Sequence, residues 1–268
     1  MMKRAWLLLK CLFGRKNWWA TLVVILGMGV LARLGIWQLD RLEQRRAFNA
    51  ALLQVLDAPP LLLNEDALPV DVSGLKNRSA TVTGRFDFEQ QIALKLQNWQ
   101  GRPGVRLIAP LVIDGREDTA VLVDRGWIPE AEADPARWSQ YEEPGVVTVE
   151  GYIAPSQTLP GGRTAEPTPV EPKSEWFRVE IEAIQQQMPY QLLPFYVVQT
   201  PAGEGDVQLP IRSALEVDLS EGPHMGYAIQ WFLFSLTLAV VYVLYVYKHD
   251  VKGAAQAAAQ AAAQIAEE

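Results

Sequence analysis

The feature that most constrains this chain is an apolar run near its end, Met225 to Tyr247, which contains no Asp, Glu, Lys or Arg. At ~1.5 Å of rise per helical residue the run is long enough to cross a hydrocarbon layer of ~30 Å, so it predicts a transmembrane helix. Gly222-Pro223 marks its start, because proline suits a first helical turn where its missing N–H would have no partner, and Lys248, His249 and Asp250 mark its end. His224 stands at one mouth of this helix. Steps of ~100° per residue place Tyr227, Trp231 and Ser235 on the same face. A histidine heading an aromatic stripe can bind a ligand.

Residues 1–17 hold Lys3, Arg4, Lys10, Arg15 and Lys16 and no acid, and an apolar run over residues 18–39 follows. The length of that run and the lack of a small-x-small cleavage pattern favour a retained anchor over a cleaved signal. The leading cations predict a cytoplasmic N-terminus, an extracytoplasmic middle over residues 40–222, a second span over 223–247 and a cytoplasmic tail over 248–268. Arg33, Arg41, Arg45 and Arg46 run against that rule. The helical pattern continues through Leu42, Phe48, Leu52 and Val55 until Pro59-Pro60 stops it, so Arg41 onward is assigned to a helix standing above the membrane. Arg33, Trp37 and Arg41 recur every four residues, with Gln38 beside them. An ionisable residue at the depth of Arg33 either snorkels or has a partner, and the same face could pack against the outer domain.

After Pro60 the texture changes to short runs rich in β-formers, separated by Gly, Pro and Asp. The expected strands are Ser79–Phe86, Gln91–Leu96, Val105–Ile113, Thr119–Trp127, Val146–Ile153, Trp176–Glu180 and Phe195–Gln199, with a short helix over Ile181–Met188. Asp114-Gly115 reads as a hairpin turn supplying residues of positive φ. Thr158–Lys173 and Thr200–Pro210 read as surface loops. The fold class is therefore a membrane protein with two transmembrane helices flanking one extracytoplasmic α+β domain, rich in antiparallel strands and a candidate for a small, partly closed barrel. The Ala/Gln-rich tail is low in complexity and is assigned no chemistry.

Residues 49–222 carry 13 Lys+Arg against 26 Asp+Glu, an acidic balance that excludes nucleic acid as a partner. The single Cys11 forbids an intramolecular disulfide, and two histidines without a second cysteine argue against a zinc site. No phosphate-binding glycine loop, G-x-S-x-G elbow, H-E-x-x-H or C-x-x-C occurs. The chain is accordingly not expected to be an enzyme. A two-span structural or regulatory protein, such as a polysaccharide chain-length regulator, is the alternative class, although the β-rich middle speaks against it.

Three stretches together resemble the surfeit-locus protein 1 family of cytochrome c oxidase assembly factors: LGIWQLDR (Leu34–Arg41), VLVDRGWIP (Val121–Pro129) and HMGYAIQWF (His224–Phe232). Asp124 departs from the family's common asparagine, and the tail has no counterpart. The resemblance covers roughly residues 15 to 250 and implies a multi-pass protein of the cell inner (plasma) membrane. It also implies transient handling of haem a, with the oxidase catalytic subunit, haem a synthase and the lipid bilayer as partners. The matching position for a haem-ligating histidine is His224. Tyr227 and Trp231 would line that pocket, Arg33 or Arg41 would meet the propionates, and Trp37 and Gln38 complete the expected set. His249 would lie a full span away, and Met225 points about 100° from His224.

Overall fold

The computed structural model describes residues 6, 9–65, 67, 72, 74–157, 172–203, 208–253 and 256. Most of the expected Thr158–Lys173 loop and of the tail lies outside these residues. The chain divides into two compact units, Met1–Ala50 with Leu219–Glu268, and Ala51–Asp218.

The first unit is built on two long helices, α1 (Trp18–Leu56) and the C-terminal helix α3 (His224–Val246). Helix α1 runs without interruption through residue 39, as its apolar pattern and lack of internal proline require. Helix α3 starts after Pro223, whose carbonyl accepts from Tyr227 N at 3.1 Å. The charged Lys248-His249-Asp250 does not end the helical backbone, which continues as a π turn over Tyr247–Val251. Large apolar side chains such as Val23, Leu26, Val241 and Leu244 are exposed on this pair. A helix of a water-soluble protein would bury such groups; here the hydrocarbon of a bilayer is the environment that suits them.

The second unit is a sheet of strands β1 (Leu61–Leu62), β2 (Ser79–Phe86), β3 (Ile92–Trp99), β4 (Arg102–Ile113), β5 (Arg116–Pro129), β6 (Val147–Pro155), β7 (Glu175–Trp176) and β8 (Gln191–Gln199). Their order is β1-β2-β6-β8-β5-β4-β3-β7, and β2 also pairs β4 through Gly84↔Ile113 and Phe86↔Leu111. That extra pairing closes β2, β6, β8, β5 and β4 into a barrel. Period-2 alternation fills its interior with Ala80, Val82, Leu111, Ile113, Val121, Val123, Val149, Ile153, Phe195 and Val197. The outer face of β4, β5 and β8 presents Ile108, Leu122, Tyr196 and Val198, covered by Trp176, Val179, Ile181 and Ile184.

Several expectations change in detail. The run Trp176–Glu180 pairs only at Glu175–Trp176, because Val179 leaves the sheet to cover that outer face. Over Ile181–Met188 the α-helix α2 is a single turn, Ile181–Ile184, followed by a 3-10 turn at Gln185–Gln187. In the Asp114-Gly115 turn only Gly115 has positive φ, at 80°. Strand β8 starts at Gln191, earlier than expected, and takes in Pro194. A register shift between Ala120 and Leu122 leaves that proline outside the regular ladder, which its missing N–H could not serve. Three pairings are parallel: β1 with β2, β3 with β7 and β5 with β8.

The motif VLVDRGWIP is the end of β5. Arg125 is fully buried, donating to Gln91 Oε1 at 2.9 Å, to Glu143 Oε1 at 3.0 Å and to the Tyr141 carbonyl. Its guanidinium also lies 5.0 Å from the Phe86 ring and 4.9 Å from the Phe88 ring. Gly126 has φ +128°, and a Cβ there would come 2.6 Å from the Ile211 carbonyl oxygen. That close approach lets Trp127 and Ile211 exchange two backbone hydrogen bonds of 2.9 and 2.7 Å. Asp124 is paired with Arg106 at 2.6 Å; burial pushes its carboxyl up, and Arg106 opposes the shift.

Candidate functional site at the mouth of the helix pair

Helices α1 and α3 run antiparallel, and a ladder of contacts sets their register. Thr21 Oγ1 meets Tyr242 OH at 2.6 Å, Ser235 Oγ donates to the Met28 carbonyl at 3.2 Å, and a Cβ on Gly35 would stand 2.8 Å from the Phe232 ring. Beyond one end, Lys16 and Asn17 both bond Asp250, at 2.6 and 2.7 Å. Beyond the other, Arg46 binds Glu221 through two bonds of 2.7 and 2.8 Å, and Asn49 donates to the Leu219 carbonyl at 2.6 Å. The Arg46 guanidinium holds the Glu221 carboxyl below the usual carboxylate range. Arg45, for its part, donates to the Ser220 carbonyl at 3.0 Å. Arg45 and Arg46, which looked anomalous by charge alone, thus hold the segment that leads into α3.

His224 lies on this ladder. Its Nδ1 is 2.9 Å from Gln38 Oε1. An amide oxygen only accepts, so with Gln38 Oε1 as the partner a neutral ring would carry its proton on Nδ1 and its lone pair on Nε2. Gln38 therefore does for His224 what an outer-sphere carboxylate or carbonyl does for a metal-binding histidine: it fixes tautomer and ring orientation. His224 is partly buried, as is Trp231 two turns on, whose ring meets Phe234 edge-on at 6.0 Å. Ala228 between them is buried at 1% exposure, where a larger side chain would part the helices. Tyr227 is about half exposed, on the flank of this face.

The other expected site residues are not brought to His224. Gln38 is on the face of α1 turned to α3, with Thr21, Met28 and Gly35. Trp37 is one residue, ~100°, away, and Arg33 and Arg41 share its side. Trp37 is 43% exposed. Arg41 lies 5.5 Å over the Trp37 ring and donates to Gln44 at 3.0 Å, while Arg33 makes a long 3.7 Å ion contact with Asp40. Among the described residues no group of three or more His, Cys, Asp and Glu could hold a metal ion. Sequence reasoning missed Glu221, Asn49, Gly35 and Asp40. Asn49, an amide seven residues from Leu42 on the buried stripe of the helical pattern, was the one with a readable signal.

A family model described as the SURF1 family matches residues 25–236. The chain belongs to the SURF1 family. It is similar to a SURF1-like protein of Rickettsia felis, 28% identical over 244 residues that cover 84% of this chain and 95% of the relative. A SURF1-like protein of Monosiga brevicollis is 25% identical over 242 residues, 85% of this chain and 87% of the relative. An uncharacterized SURF1-like protein of Mycobacterium tuberculosis is 24% identical over 230 residues, 83% and 80%. Membership of the SURF1 family supports a role in cytochrome c oxidase assembly at the family level. Together with two helices long and apolar enough to cross a bilayer, it makes the chain a membrane protein.

Proposed function

We propose that this SURF1-family protein serves oxidase assembly by holding haem a transiently at the mouth of its helix pair, where His224 Nε2 would be the nitrogen that binds its iron. The observation that carries this reading is the Gln38–His224 hydrogen bond, which engages Nδ1 and in the neutral ring would leave Nε2, without a partner among the described residues, as the lone-pair donor. A neutral imidazole nitrogen is a common axial ligand of haem iron, so the donor chemistry fits the group. Bound haem supplies an iron centre that accepts that lone pair. The chain's own residues orient the ring through Gln38, shield one side through Trp231, and offer a half-exposed aromatic at Tyr227. The partners in this reading are the oxidase catalytic subunit, which receives the haem, haem a synthase, which supplies it, and the surrounding bilayer.

The test is to co-express the protein with haem a synthesis and record reduced-minus-oxidised spectra after purification. His224→Ala is expected to lose the haem spectrum at normal protein yield, and Gln38→Ala to retain less haem than wild type. Undiminished haem in His224→Ala removes this residue from the site. The same reading sets both termini in the cytoplasm and the barrel outside the plasma membrane. A Cys11→Ser, Glu117→Cys protein should react with an impermeant maleimide in intact cells; protection of Cys at 117 reverses the orientation.

A further inference from the structure

The geometry points to a binding site for an anionic phospholipid on the face of α1 turned away from α3. A shallow groove of about 390 Å3 is lined there by Ile25, Leu26, Gly29, Val30, Arg33 and Leu34. All but Arg33 are apolar, and the space over Gly29 is open, since a Cβ built on it meets nothing within 4 Å. From Ile25 to Leu34 the groove follows about 14 Å of helix, room for much of one acyl chain.

What stands at the head of this groove decides the occupant. The Arg33 guanidinium reaches Asp40, seven residues on and about 10 Å further along the axis, so the cation is carried out of the apolar stretch toward Trp37 and Arg41. Arg41 lies over the Trp37 ring. Two guanidinium groups and an exposed tryptophan therefore collar the end of an apolar groove, the arrangement that suits a phosphate above a hydrocarbon chain. The one acid in the collar is Asp40. Its contact with Arg33 is long, at 3.7 Å, and both side chains are more than half exposed, at 68% and 53%, so it competes weakly with a phosphate that can take two N–H donors. The charge balance disfavours a zwitterionic headgroup, whose ammonium would meet Arg33 and Arg41. It also disfavours a partner helix, which would cover Arg33 without an adequate counter-charge. The inference does not rest on the haem reading, because the groove lies on the side of α1 turned from α3, the helix that carries His224.

The experiment is native mass spectrometry of the full-length protein in detergent with equimolar phosphatidylglycerol and phosphatidylcholine. Wild type should retain phosphatidylglycerol over phosphatidylcholine by about tenfold or more, the scale of two cations near a lipid phosphate. In the double variant Arg33→Gln, Arg41→Gln the ratio should fall to about one. Gly29→Leu, which fills the open groove without a clash, should lower retention of both lipids. An unchanged ratio in the double variant overturns the inference, as does a second copy of the chain occupying the groove with no lipid retained. Loss of His224-dependent haem in the double variant with lipid preference intact would assign the two cations to haem and overturn it equally.

Discussion

The barrel unit and the helix pair are held together by opposite means. In the barrel the apolar residues face inward on both sides of the sheet, from Val82, Leu111 and Phe195 in the interior to Leu122 and Trp176 outside it. Its deepest polar group, Arg125, donates through its two terminal nitrogens to a carbonyl, an amide oxygen and a carboxylate. In the helix pair Leu26, Val241 and Leu244 face outward, while Thr21, Gly35, Gln38, Ser235 and Tyr242 lie between the helices. The difference follows from the solvent. In water, burying apolar area drives association at roughly 25 cal/mol per Å2. In hydrocarbon a leucine gains nothing by leaving lipid for another leucine, so close approach at small residues and interhelical hydrogen bonds must do the work.

The largest expected effect is on the barrel. Trp127 is buried at 2% exposure and packs against Trp99 with ring centroids 5.5 Å apart. Trp127→Ala should destabilise the domain by ~3–5 kcal/mol and lower protein abundance, read by thermal denaturation and immunoblot. Normal stability with lost oxidase assembly would instead make the end of β5 a partner surface.

In the helix pair the sharpest change is an added side chain. Gly35→Leu must displace the Phe232 ring, at a cost of about 1–3 kcal/mol typical of overpacking. Disulfide trapping between cysteines introduced at Gln38 and His224 should become slower in this variant while the barrel's melting temperature stays unchanged. Equal trapping rates would show that Gly35 does not set the approach of the helices.

A pH effect on the order of 2–3 kcal/mol separates the barrel from the pair again. Burial, with a contribution from Asp124, pushes the Tyr196 phenol up to about 12. The folded value is raised above the unfolded value of ~10, so the stabilisation is complete below pH 10 and is lost as pH rises through 12. Tyr196→Phe should flatten the decline of barrel stability across that window, measured by urea denaturation at stepped pH. An unaltered decline would place the cause in other groups.

The smallest effect belongs to the ladder. Thr21→Val removes one hydrogen bond to Tyr242 and one to the Leu12 carbonyl, and at the average of ~0.6 kcal/mol per interaction should cost about 1 kcal/mol in all. Steric trapping would measure it; a loss as large as that of Trp127→Ala would break the contrast between the two units.

Much of the barrel was legible because period-2 alternation and turn residues are local. Ser79–Phe86 appears as expected, and the Asp114-Gly115 turn joins β4 to β5. The parallel pairing of β8 with β5 and the closure of β2 onto β4 were not legible, since they join segments tens of residues apart and leave no local periodicity. In the candidate site His224 and Gln38 could each be singled out, but not as a pair. Arg33, Trp37 and Arg41 were grouped with them by depth along the helix, whereas ~100° steps turn Arg41 from Gln38 by about 60°, Trp37 by about 100° and Arg33 by about 140°.

What the sequence by itself determined is what depends on near neighbours along the chain: two charge-poor helical runs, a strand-rich acidic middle, and the motifs that mark the family. A run of apolar residues sets its own length, and an alternating strand its own two faces. Only the tertiary structure decided which faces meet. The hydrogen bond that orients His224 comes from Gln38, 186 residues earlier, and the partners of buried Arg125 come from Gln91 and from the separate segment that carries Tyr141 and Glu143. Such contacts depend on the rotation of one helix against another and on the closure of a ring of strands, and neither quantity is written in any single stretch of the chain.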